Sequence, residues 1–578
     1  MAAFIFPISK EREFLSFSRR AWELIHPYWH SQEWFKAWAL LLAILGLSFA
    51  GISMAVAYNH WHRDIYNVLE SRNAPEFGRL LIVFIGIAAA SIFMSVYSTY
   101  LTKILLVRWR RWLFYGYSDA WLKNNRHYRL QIQESIDNPD QRLTEDIEAF
   151  SRLTLQTVLG LVQTLTSLVT FSVIMWTVSG SLEILGVNVP GYMFWAAVIY
   201  SLIGSLITHY IGRRLIGLNN AQQRVEADLR FDLIRIRENG ESIALQGGEP
   251  GEQSRLRMRF GEVWQNFHNL VRSEKKLMFF VGGYSQFSFV FPLAVAGPRL
   301  FSGTLQFGEL MQLTQAFGSL QSSLSWFVSV YHDLVEWRAV TDRLLGFDRA
   351  LTAVITAPCA IKYSPSTSGS FHLEGIETWK PDGTSLLKLN HLFVSPGQHV
   401  LVQGPSGSGK STLFRTVAGI WKYGRGAVYV SSEVYVIPQR PYFPVGKLRQ
   451  ALEYPATDLT QRGDEIQLIL DACRLEHLKD HLDTDAHWEK RLSPGEQQRL
   501  AIARALLAKP KFLLLDEVSS ALSLDDEERM YSLIKSQLSL STVISIGHRS
   551  SLAAYHDLLW SVDIDGNLIQ QSIKNFAY

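Results

Sequence analysis

One run of residues has the types and spacing of a phosphate-binding loop. It follows the pattern G-x-x-x-x-G-K-[ST], between a predicted strand at 399–403 and a helix that begins at about Ser411. Glycines let successive backbone N–H groups surround phosphate oxygens, and a helix N-terminus adds its positive end. We therefore predict that Lys410 binds the β- and γ-phosphates of ATP and that the Ser411 hydroxyl binds Mg²⁺. The loop consists of Gly404, Pro405, Ser406, Gly407, Ser408, Gly409, Lys410, Ser411 and Thr412.

Two acids follow an apolar run further along the chain, in Phe512-Leu-Leu-Leu-Asp516-Glu517. A buried strand that ends there places both carboxylates at the carboxyl edge of a sheet, beside the phosphate-binding loop. Asp516 is predicted to bind the Mg²⁺ ion. Glu517 is predicted to be catalytic and to polarise the attacking water, because phosphoryl transfer depends mainly on positioning and charge stabilisation.

Between these two motifs lies a third, Leu492-Ser-Pro-Gly-Glu-Gln-Gln-Arg499. By itself it is typical of an ordinary helix start, with Ser493 as the N-cap and Pro494 in the first turn. The same turn also forms an anion cradle, although no phosphate of the same chain is obviously available to it. Its candidate ligand contacts are Ser493, Gly495, Glu496 and Gln497.

The three motifs together resemble those of the ATP-binding cassette (ABC) family. The resemblance implies that 493–497 is the signature sequence, which contacts ATP held by a second subunit. It also implies that Gln439 is the Q-loop glutamine, a Mg²⁺ and water contact, and that His548 is the catalytic switch histidine. Trp379 would be the aromatic residue that stacks on adenine.

Two positions depart from the family pattern. Pro494 stands where the signature usually has glycine, which removes one backbone N–H but leaves those of Ser493 and Gly495. Ser523 stands where the loop after Glu517 usually has aspartate. That acid helps to hold the dimer contacts around the opposite site, so its loss bears on coupling and not on ATP binding.

The elements before residue 350 are predicted to be membrane helices. Six stretches are long and apolar enough to cross a bilayer, which takes about 20 residues each. The fifth and sixth contain glutamines, at 286, 312, 315 and 321, which indicate either hydrogen bonds between helices or the lining of a wet pathway. The six stretches are 37–58, 80–101, 155–178, 192–211, 278–295 and 310–331.

Basic residues are dense between spans two and three and between spans four and five, whereas 179–191 contains no Lys or Arg. By the positive-inside rule both termini and both long loops are cytoplasmic, and the spans extend beyond the membrane as helical stalks. The N-terminus lacks the features of a cleavable signal.

The predicted fold class is therefore an all-α membrane domain of six transmembrane helices, of the exporter-type ABC fold, followed by a cytoplasmic α/β P-loop ABC ATPase domain. We expect the membrane domain at 1–350, a Pro- and Ser-rich linker at 351–368 and the nucleotide-binding domain at 369–578. The strands expected in this last domain include 398–402, 427–430, 434–437, 512–515 and 542–546.

Composition excludes other classes. The net charge of +3 is too small to indicate a nucleic-acid partner. Cys359 and Cys473 are far apart and outside any metal-ligand spacing, so neither a disulfide framework nor a zinc site is predicted from them.

Segments of the membrane domain narrow the resemblance. Those at 137–146, 226–230 and 239–248 resemble the peroxisomal fatty-acyl and lysosomal cobalamin transporters of subfamily D, and the bacterial SbmA/BacA-like group with a fused ATPase. The segment at 59–66 favours the bacterial group. Composition alone would make 137–146 a solvated turn and helix start, whereas the family resemblance implies contact between stalk and ATPase.

The resemblance implies a half-transporter in a bacterial-type inner membrane, with ATP and Mg²⁺ as cofactors. A homodimer is favoured over a heterodimer, because both sites of a homodimer would have all the hydrolytic residues. Uptake of a large hydrophilic or amphipathic solute, such as cobalamin or a peptide, by alternating access is the preferred interpretation. An exporter or transporter of lipid, fatty acyl-CoA or drugs is the alternative, and an ATP-gated channel is the alternative from another class.

Overall fold

The computed structural model describes residues 8–133, 138–184, 187–356, 359–366, 370–430, 434–456 and 463–573. The chain forms two compact units, one of Met1–Asp119 and Asn138–Asp348, the other of Ala120–Asp137 and Arg349–Tyr578. The second unit includes 120–133, which the sequence analysis had assigned to the membrane domain. Asp137 and the linker residues 357–358 and 367–368 lie outside the described residues.

The first half of the chain is almost entirely helical. A π-helical turn at Arg142–Asp146 precedes the sixth helix, and a short antiparallel hairpin of β1 (Ser181–Ile184) and β2 (Val187–Pro190) follows it. The helices are α1 (Ile8–Trp29), α2 (Trp34–Glu70), α3 (Ala74–Leu122), α4 (Arg126–Ile132), α5 (Pro139–Gln141), α6 (Ile147–Ser179), α7 (Tyr192–Glu238), α8 (Gly240–Gln246), α9 (Glu249–Phe301) and α10 (Phe307–Thr356).

Five of these helices are long and apolar enough to cross a membrane, judged by length and composition over the described residues: α2, α3, α6, α7 and α9. They contain the first five predicted spans. The sixth predicted span, 310–331, lies in α10, which is not among these five. The longest of the five, α9, has 53 residues. At 1.5 Å per residue it measures about 80 Å, well over twice the hydrocarbon thickness, so these helices do continue as stalks.

Two glutamines of α10 form hydrogen bonds with α2, and one of them also lines a cavity. Gln312 is fully buried, and its Nε2 donates to Asn59 Oδ1 of α2 at 3.0 Å, while Asn59 Nδ2 donates to the Gln312 carbonyl at 3.1 Å. Gln315 accepts a hydrogen bond from Asn59 and also lines a cavity. One amide therefore joins two helices, and its neighbour one turn away also faces open space.

The segment at 137–146, for which the family resemblance implied contact between stalk and ATPase, ends in a buried ion pair. Asp146 is buried, with Arg142 Nη1 2.9 Å from its Oδ2 and Arg343 Nη2 of α10 2.5 Å from its Oδ1. Both partners of Asp146 belong to the helical unit itself. This carboxylate therefore joins two helices of its own unit.

The described residues of the second unit form two large sheets and a small antiparallel pair of β9 and β10. Of the two large sheets, the larger has the strand order β14-β13-β6-β12-β11-β8 and is parallel except for the edge strand β14, and the smaller has the order β3-β7-β4-β5. The strands are β3 (Ala360–Ser364), β4 (Phe371–Trp379), β5 (Ser385–Val394), β6 (His399–Gln403), β7 (Gly424–Tyr429), β8 (Val434–Ile437), β9 (Gly446–Lys447), β10 (Asp485–Ala486), β11 (Phe512–Asp516), β12 (Thr542–Ile546), β13 (Leu558–Val562) and β14 (Leu568–Ser572).

All five strands named from the sequence are present, and β3 lies inside the predicted linker, where it pairs with β7. The last turn of α10 also extends into that linker, to Thr356. The helices of the second unit are α11 (Lys410–Val417), α12 (Leu448–Glu453), α13 (Gly463–Ala472), α14 (Trp488–Arg491), α15 (Pro494–Ala508) and α16 (Leu524–Gln537).

The larger sheet is buried on both faces, which is why its strands are continuous apolar runs. Along β11, Phe512 and Leu514 join the core shared with the smaller sheet and α11, while Leu513 and Leu515 join the core beneath α12, α13, α15 and α16. This packing fixes the carboxyl ends of β6 and β11. The phosphate-binding loop follows β6, and Asp516 and Glu517 lie at the end of β11.

Candidate nucleotide-binding site

The phosphate-binding loop joins β6 to the N-terminus of α11. A Cβ atom on Gly404 would lie 2.5 Å from the Val562 carbonyl oxygen, and one on Gly409 would lie 3.2 Å from the Leu386 carbonyl oxygen. Gly409 also has φ 90°, a conformation that side chains disfavour. The close approach of neighbouring strands and the left-handed backbone therefore explain why glycine is needed here.

Lys410 is held inside this loop. Its Nζ donates to the carbonyl oxygens of Gly404 and Pro405 at 2.8 and 2.7 Å. Burial lowers the pKa of Lys410, although the carboxylates of Glu517 and Asp516 oppose the shift. The ammonium is therefore a buried cation held by neutral acceptors.

The residues present fit a phosphate group. Among the described residues, the Ser408 hydroxyl is buried without a hydrogen-bond partner inside the loop, and buried polar groups normally have one. It lies beside the buried Lys410 cation and the start of α11, where backbone N–H groups point outward. An anion would satisfy all three donors at once.

The hydroxyl of Ser411 on α11 lies beside the carboxylate of Asp516, which ends β11. The Ser411 hydroxyl donates to Asp516 Oδ1 at 3.3 Å. Burial raises the pKa of Asp516, and the bond from Ser411 lowers it in part. Together with the Gln439 side chain, this hydroxyl and carboxylate form the oxygen donor set that Mg²⁺ prefers.

Glu517 is held from two sides. Gln439 Nε2 donates to its Oε2 at 2.9 Å, and His548 Nε2 lies 3.1 Å from its Oε1. Its backbone has φ 49°, and its N–H donates to the Ile546 carbonyl at 3.1 Å. A non-glycine residue in this left-handed region costs about 1–3 kcal/mol, so the surrounding contacts keep it in place.

The signature segment caps α15. The Ser493 backbone N–H donates to Glu496 Oε2 at 2.8 Å and the Glu496 N–H donates to Ser493 Oγ at 3.4 Å, a reciprocal capping box. Burial opposes ionisation of Glu496, but hydrogen bonds from Ser493 and the nearby His477 outweigh it and lower the pKa of Glu496. Gln497 Nε2 donates to the Glu489 carbonyl at 2.7 Å.

A link that the sequence analysis missed joins α15 to the loop after Glu517. Gln498 Nε2 donates to Ser520 Oγ at 2.9 Å, and the Ala521 N–H donates to Gln498 Oε1 at 3.0 Å. The Ser520 N–H donates in turn to the Glu517 carbonyl at 3.1 Å. Gln498 directly follows the predicted signature contacts. Its role is indicated by its burial as a polar residue, which is visible only in the structure.

Trp379 lies at the end of β4, where the β4–β5 register shifts. Its backbone pairs with Ser385, whose neighbour Leu386 approaches Gly409 of the phosphate-binding loop. The indole is partly exposed. The structure therefore brings the strand of Trp379 toward the loop.

The other predicted residues fall into two groups. One site contains Lys410, Ser411, Gln439, Asp516, Glu517 and His548. The signature residues form a separate helix cap.

Comparison with known families gives matches on both units. The family model described as ABC transporter transmembrane region 2 matches residues 23–301, and the model described as ABC transporter matches residues 387–520.

Relatives match over nearly the whole chain. ABC transporter D family member 2, chloroplastic, of Arabidopsis thaliana is 32% identical, over 96% of this chain and 87% of its own length. The inner membrane ABC transporter ATP-binding protein YddA of Escherichia coli is 30% identical, over 91% and 94%. The human lysosomal cobalamin transporter ABCD4 is 25% identical, over 93% and 93%.

A solved structure, that of a bacterial Atm1-family ABC exporter with ATP bound, matches with a TM-score of 0.72 at 17% identity, over 93% of this chain and 96% of that one. A helical membrane unit followed by an α/β ATPase unit is the architecture of an ATP-hydrolysing membrane transporter. The chain belongs to the ABC transporter family and is a half-transporter related to its D family.

Proposed function

We propose that two copies of this chain take up a large hydrophilic or amphipathic solute, such as cobalamin or a peptide, by ATP-driven alternating access. The observation that carries the proposal is a cavity of about 820 Å³ within the helical unit, between α2, α3, α6 and α10. Ten hydroxyl and two amide side chains line it: Ser48, Ser91, Ser95, Ser98, Thr99, Thr164, Ser167, Ser319, Ser322, Ser323, Gln163 and Gln315.

The chemistry of this lining discriminates between substrate classes. Within the described part of the chain it contains no charged side chain, and Phe171 and Trp326 add aromatic surface. The phosphates of an acyl-CoA call for Lys or Arg partners. Hydroxyls, amides and aromatic rings suit an uncharged or amphipathic solute that forms many hydrogen bonds. The similarity to a protein named as a cobalamin transporter supports the same class. Uptake as the direction follows from the resemblance to the bacterial group.

In the ATPase unit, we assign residues 404–412 and Trp379 to ATP binding, and Ser411, Gln439 and Asp516 to Mg²⁺. ATP supplies the phosphoanhydride bond whose hydrolysis drives transport, and Mg²⁺ neutralises phosphate charge. Glu517, fixed by Gln439 and His548, orients water and accepts its proton at a carboxylate oxygen.

Within the described residues, the recorded contacts of Ser493, Gly495, Glu496 and Gln497 are with their own helix start and neighbouring loops, and none is with 404–412. We assign these four residues to the ATP of a second copy, so that two chains close head-to-tail to complete two sites. Closure and reopening of this pair would then turn the cavity from one side of the membrane to the other.

We place the protein in a bacterial-type inner membrane with both termini in the cytoplasm. The distribution of basic residues supports this orientation. The relative named as an inner membrane protein of Escherichia coli supports the compartment.

The ATPase assignment is tested with Glu517→Gln. The amide keeps the side-chain volume but cannot accept the proton, so we expect ATP binding to persist while turnover falls about 10²–10⁴-fold. Glu528→Gln is the matched control, because Glu528 is an exposed acid on α16. Retained turnover in Glu517→Gln would refute the role of Glu517.

The transport assignment is tested in proteoliposomes with labelled cobalamin, a proline-rich peptide and an acyl-CoA. We expect ATP-dependent uphill accumulation of cobalamin or the peptide on the extracellular-to-cytoplasmic route, stopped by Glu517→Gln. Movement in the opposite direction would show an exporter, transport of acyl-CoA alone would overturn the substrate class, and downhill leak would show a channel.

A further inference from the structure

The smaller sheet of the ATPase unit carries three metal-ligating side chains on its outer face. His372 and Glu374 are two residues apart on β4 and therefore share a face, while Phe371 and Leu373 are buried on the other. Antiparallel pairing places His391 of β5 directly opposite Glu374. Strand pairing thus collects two imidazoles and a carboxylate at one exposed spot.

The distances match those around a metal ion. His372 Nε2 and His391 Nδ1 are 3.0 Å apart, with ring centroids at 4.4 Å and planes at 73°. Two imidazole nitrogens that bind one ion at about 2.0–2.1 Å, at octahedral or tetrahedral angles, lie about 2.9–3.4 Å from each other. One ligand atom of Glu374 lies within 4.8 Å of both nitrogens. Rotation of this exposed side chain would bring a third ligand to the same point.

A third strand helps to orient these ligands. Tyr429 of β7 stacks on the His372 ring, with centroids 5.1 Å apart, and its hydroxyl lies 3.5 Å from Glu374 Oε2. The β4–β7 register shifts immediately after Glu374, and Gly375 has φ 56°. Such bulges re-aim side chains, and this one directly follows Glu374.

We propose that His372, Glu374 and His391 bind one divalent transition-metal ion, with Zn²⁺ as the representative. Two imidazole nitrogens and one carboxylate oxygen suit Zn²⁺, Co²⁺, Ni²⁺ or Cu²⁺, whereas Mg²⁺ and Ca²⁺ favour oxygen ligands throughout. Three protein ligands leave a coordination position for water or a further group. The inference is independent of the transported solute and of the residues assigned to ATP and Mg²⁺.

Binding should stabilise the folded unit. The three ligands lie on two strands that meet only when β4 and β5 pair, so the unfolded chain lacks the site, and the apparent stability rises with metal concentration. Added Zn²⁺ is therefore expected to raise the melting temperature of the wild-type chain and to have less effect on a variant without the two histidines.

The experiment uses the full chain in detergent, purified through a tag without histidines, freed of metal by chelation and kept in Mg²⁺ without nucleotide. Calorimetric titration with Zn²⁺ should show one saturable site per chain. His372→Ala and His391→Ala should each weaken binding at least about 10-fold, and Glu374→Gln should weaken it with the side-chain volume kept. His487→Ala, at an exposed histidine of the same unit, is the matched control and should leave binding unchanged.

Basal ATP hydrolysis reports folding of the variants, since none of the three residues belongs to the nucleotide site. If an alanine variant loses this activity, two other measurements replace it. One is Zn²⁺ affinity of Glu374→Gln, and the other is the visible absorption of Co²⁺ bound to the wild-type chain. Absence of saturable Zn²⁺ binding to the wild type would overturn the proposal. So would equal affinity in the His372→Ala/His391→Ala double variant, which would leave the histidines as a surface hydrogen-bonded pair.

Discussion

Asp146 offers the sharpest test of how the helical unit is held together. Its side chain is 3% exposed and meets Arg142, which is 15% exposed, and Arg343, which is 40% exposed. Asp146→Asn preserves the shape but removes the negative charge from four charge-assisted hydrogen bonds, three from Arg343 and one from Arg142.

The expected loss in the free energy of unfolding depends on how much of each arginine charge stays buried without its partner. Loss of one partner from a buried ion pair costs about 3–5 kcal/mol, because the other charge stays desolvated. Arg343 can regain water at its exposed side, whereas Arg142 cannot, so we expect about 2–3 kcal/mol. For a chain of 578 residues, with an unfolding entropy of about 2.1 cal/mol/K per residue, that corresponds to a fall of about 2 °C in melting temperature.

The measurement is thermal unfolding of the full chain in detergent, followed by tryptophan fluorescence. Asp342→Asn is the matched control, because Asp342 lies 4.0 Å from Arg338 with both side chains about half exposed, and such pairs contribute at most about 1 kcal/mol. Equal melting temperatures for the two variants would refute the reasoning. A double-mutant cycle with Arg343→Gln should give a clear coupling energy between positions 146 and 343.

Three further predictions concern the ATPase unit. Gly409→Ala should lower ATP affinity, measured calorimetrically, because its Cβ would lie 3.2 Å from the Leu386 carbonyl oxygen at φ 90°; unchanged affinity would contradict this. Ser493→Ala should cost about 1 kcal/mol of stability through the lost helix cap, visible as a lower melting temperature, with Ser493→Asn restoring most of it. His548→Ala should lower kcat with little change in ATP affinity, since it frees one side of Glu517; equal loss of binding would refute a purely orienting role.

The elements that depend only on a local sequence pattern could be predicted. An apolar run of about 20 residues, or a buried run of five ending in an acid, is visible in the sequence because every residue in it meets the same environment. Five predicted spans and five predicted strands are accordingly present. The membership of 120–133 in the second unit and the strand β3 inside the expected linker were missed, because each depends on distant partners.

The same distinction applies within the site. The motifs identified Gln439, Glu517 and His548 as site residues. They did not show that Gln439 and His548 both contact the Glu517 carboxylate. Those contacts join residues 78 and 31 positions apart. The left-handed backbone of Glu517 could not be foreseen either, because glutamate has no preference for it and the tertiary contacts impose it.

The departure at Ser523 shows how a motif can change while a local function persists. Ser523 is the N-cap of α16: its Oγ accepts from the Asp526 N–H at 3.1 Å and donates to Asp526 Oδ2 at 2.8 Å. An aspartate at 523 could accept the same bond from the Asp526 N–H, so the helix start does not explain the usual acid, although an aspartate could not donate to the Asp526 carboxylate. What the substitution removes is one negative charge from the loop, while Asp526, three residues on, is already neutralised by Arg474 and Arg499. Any effect of Ser523 on coupling must therefore come from the loop's charge and not from the position of α16.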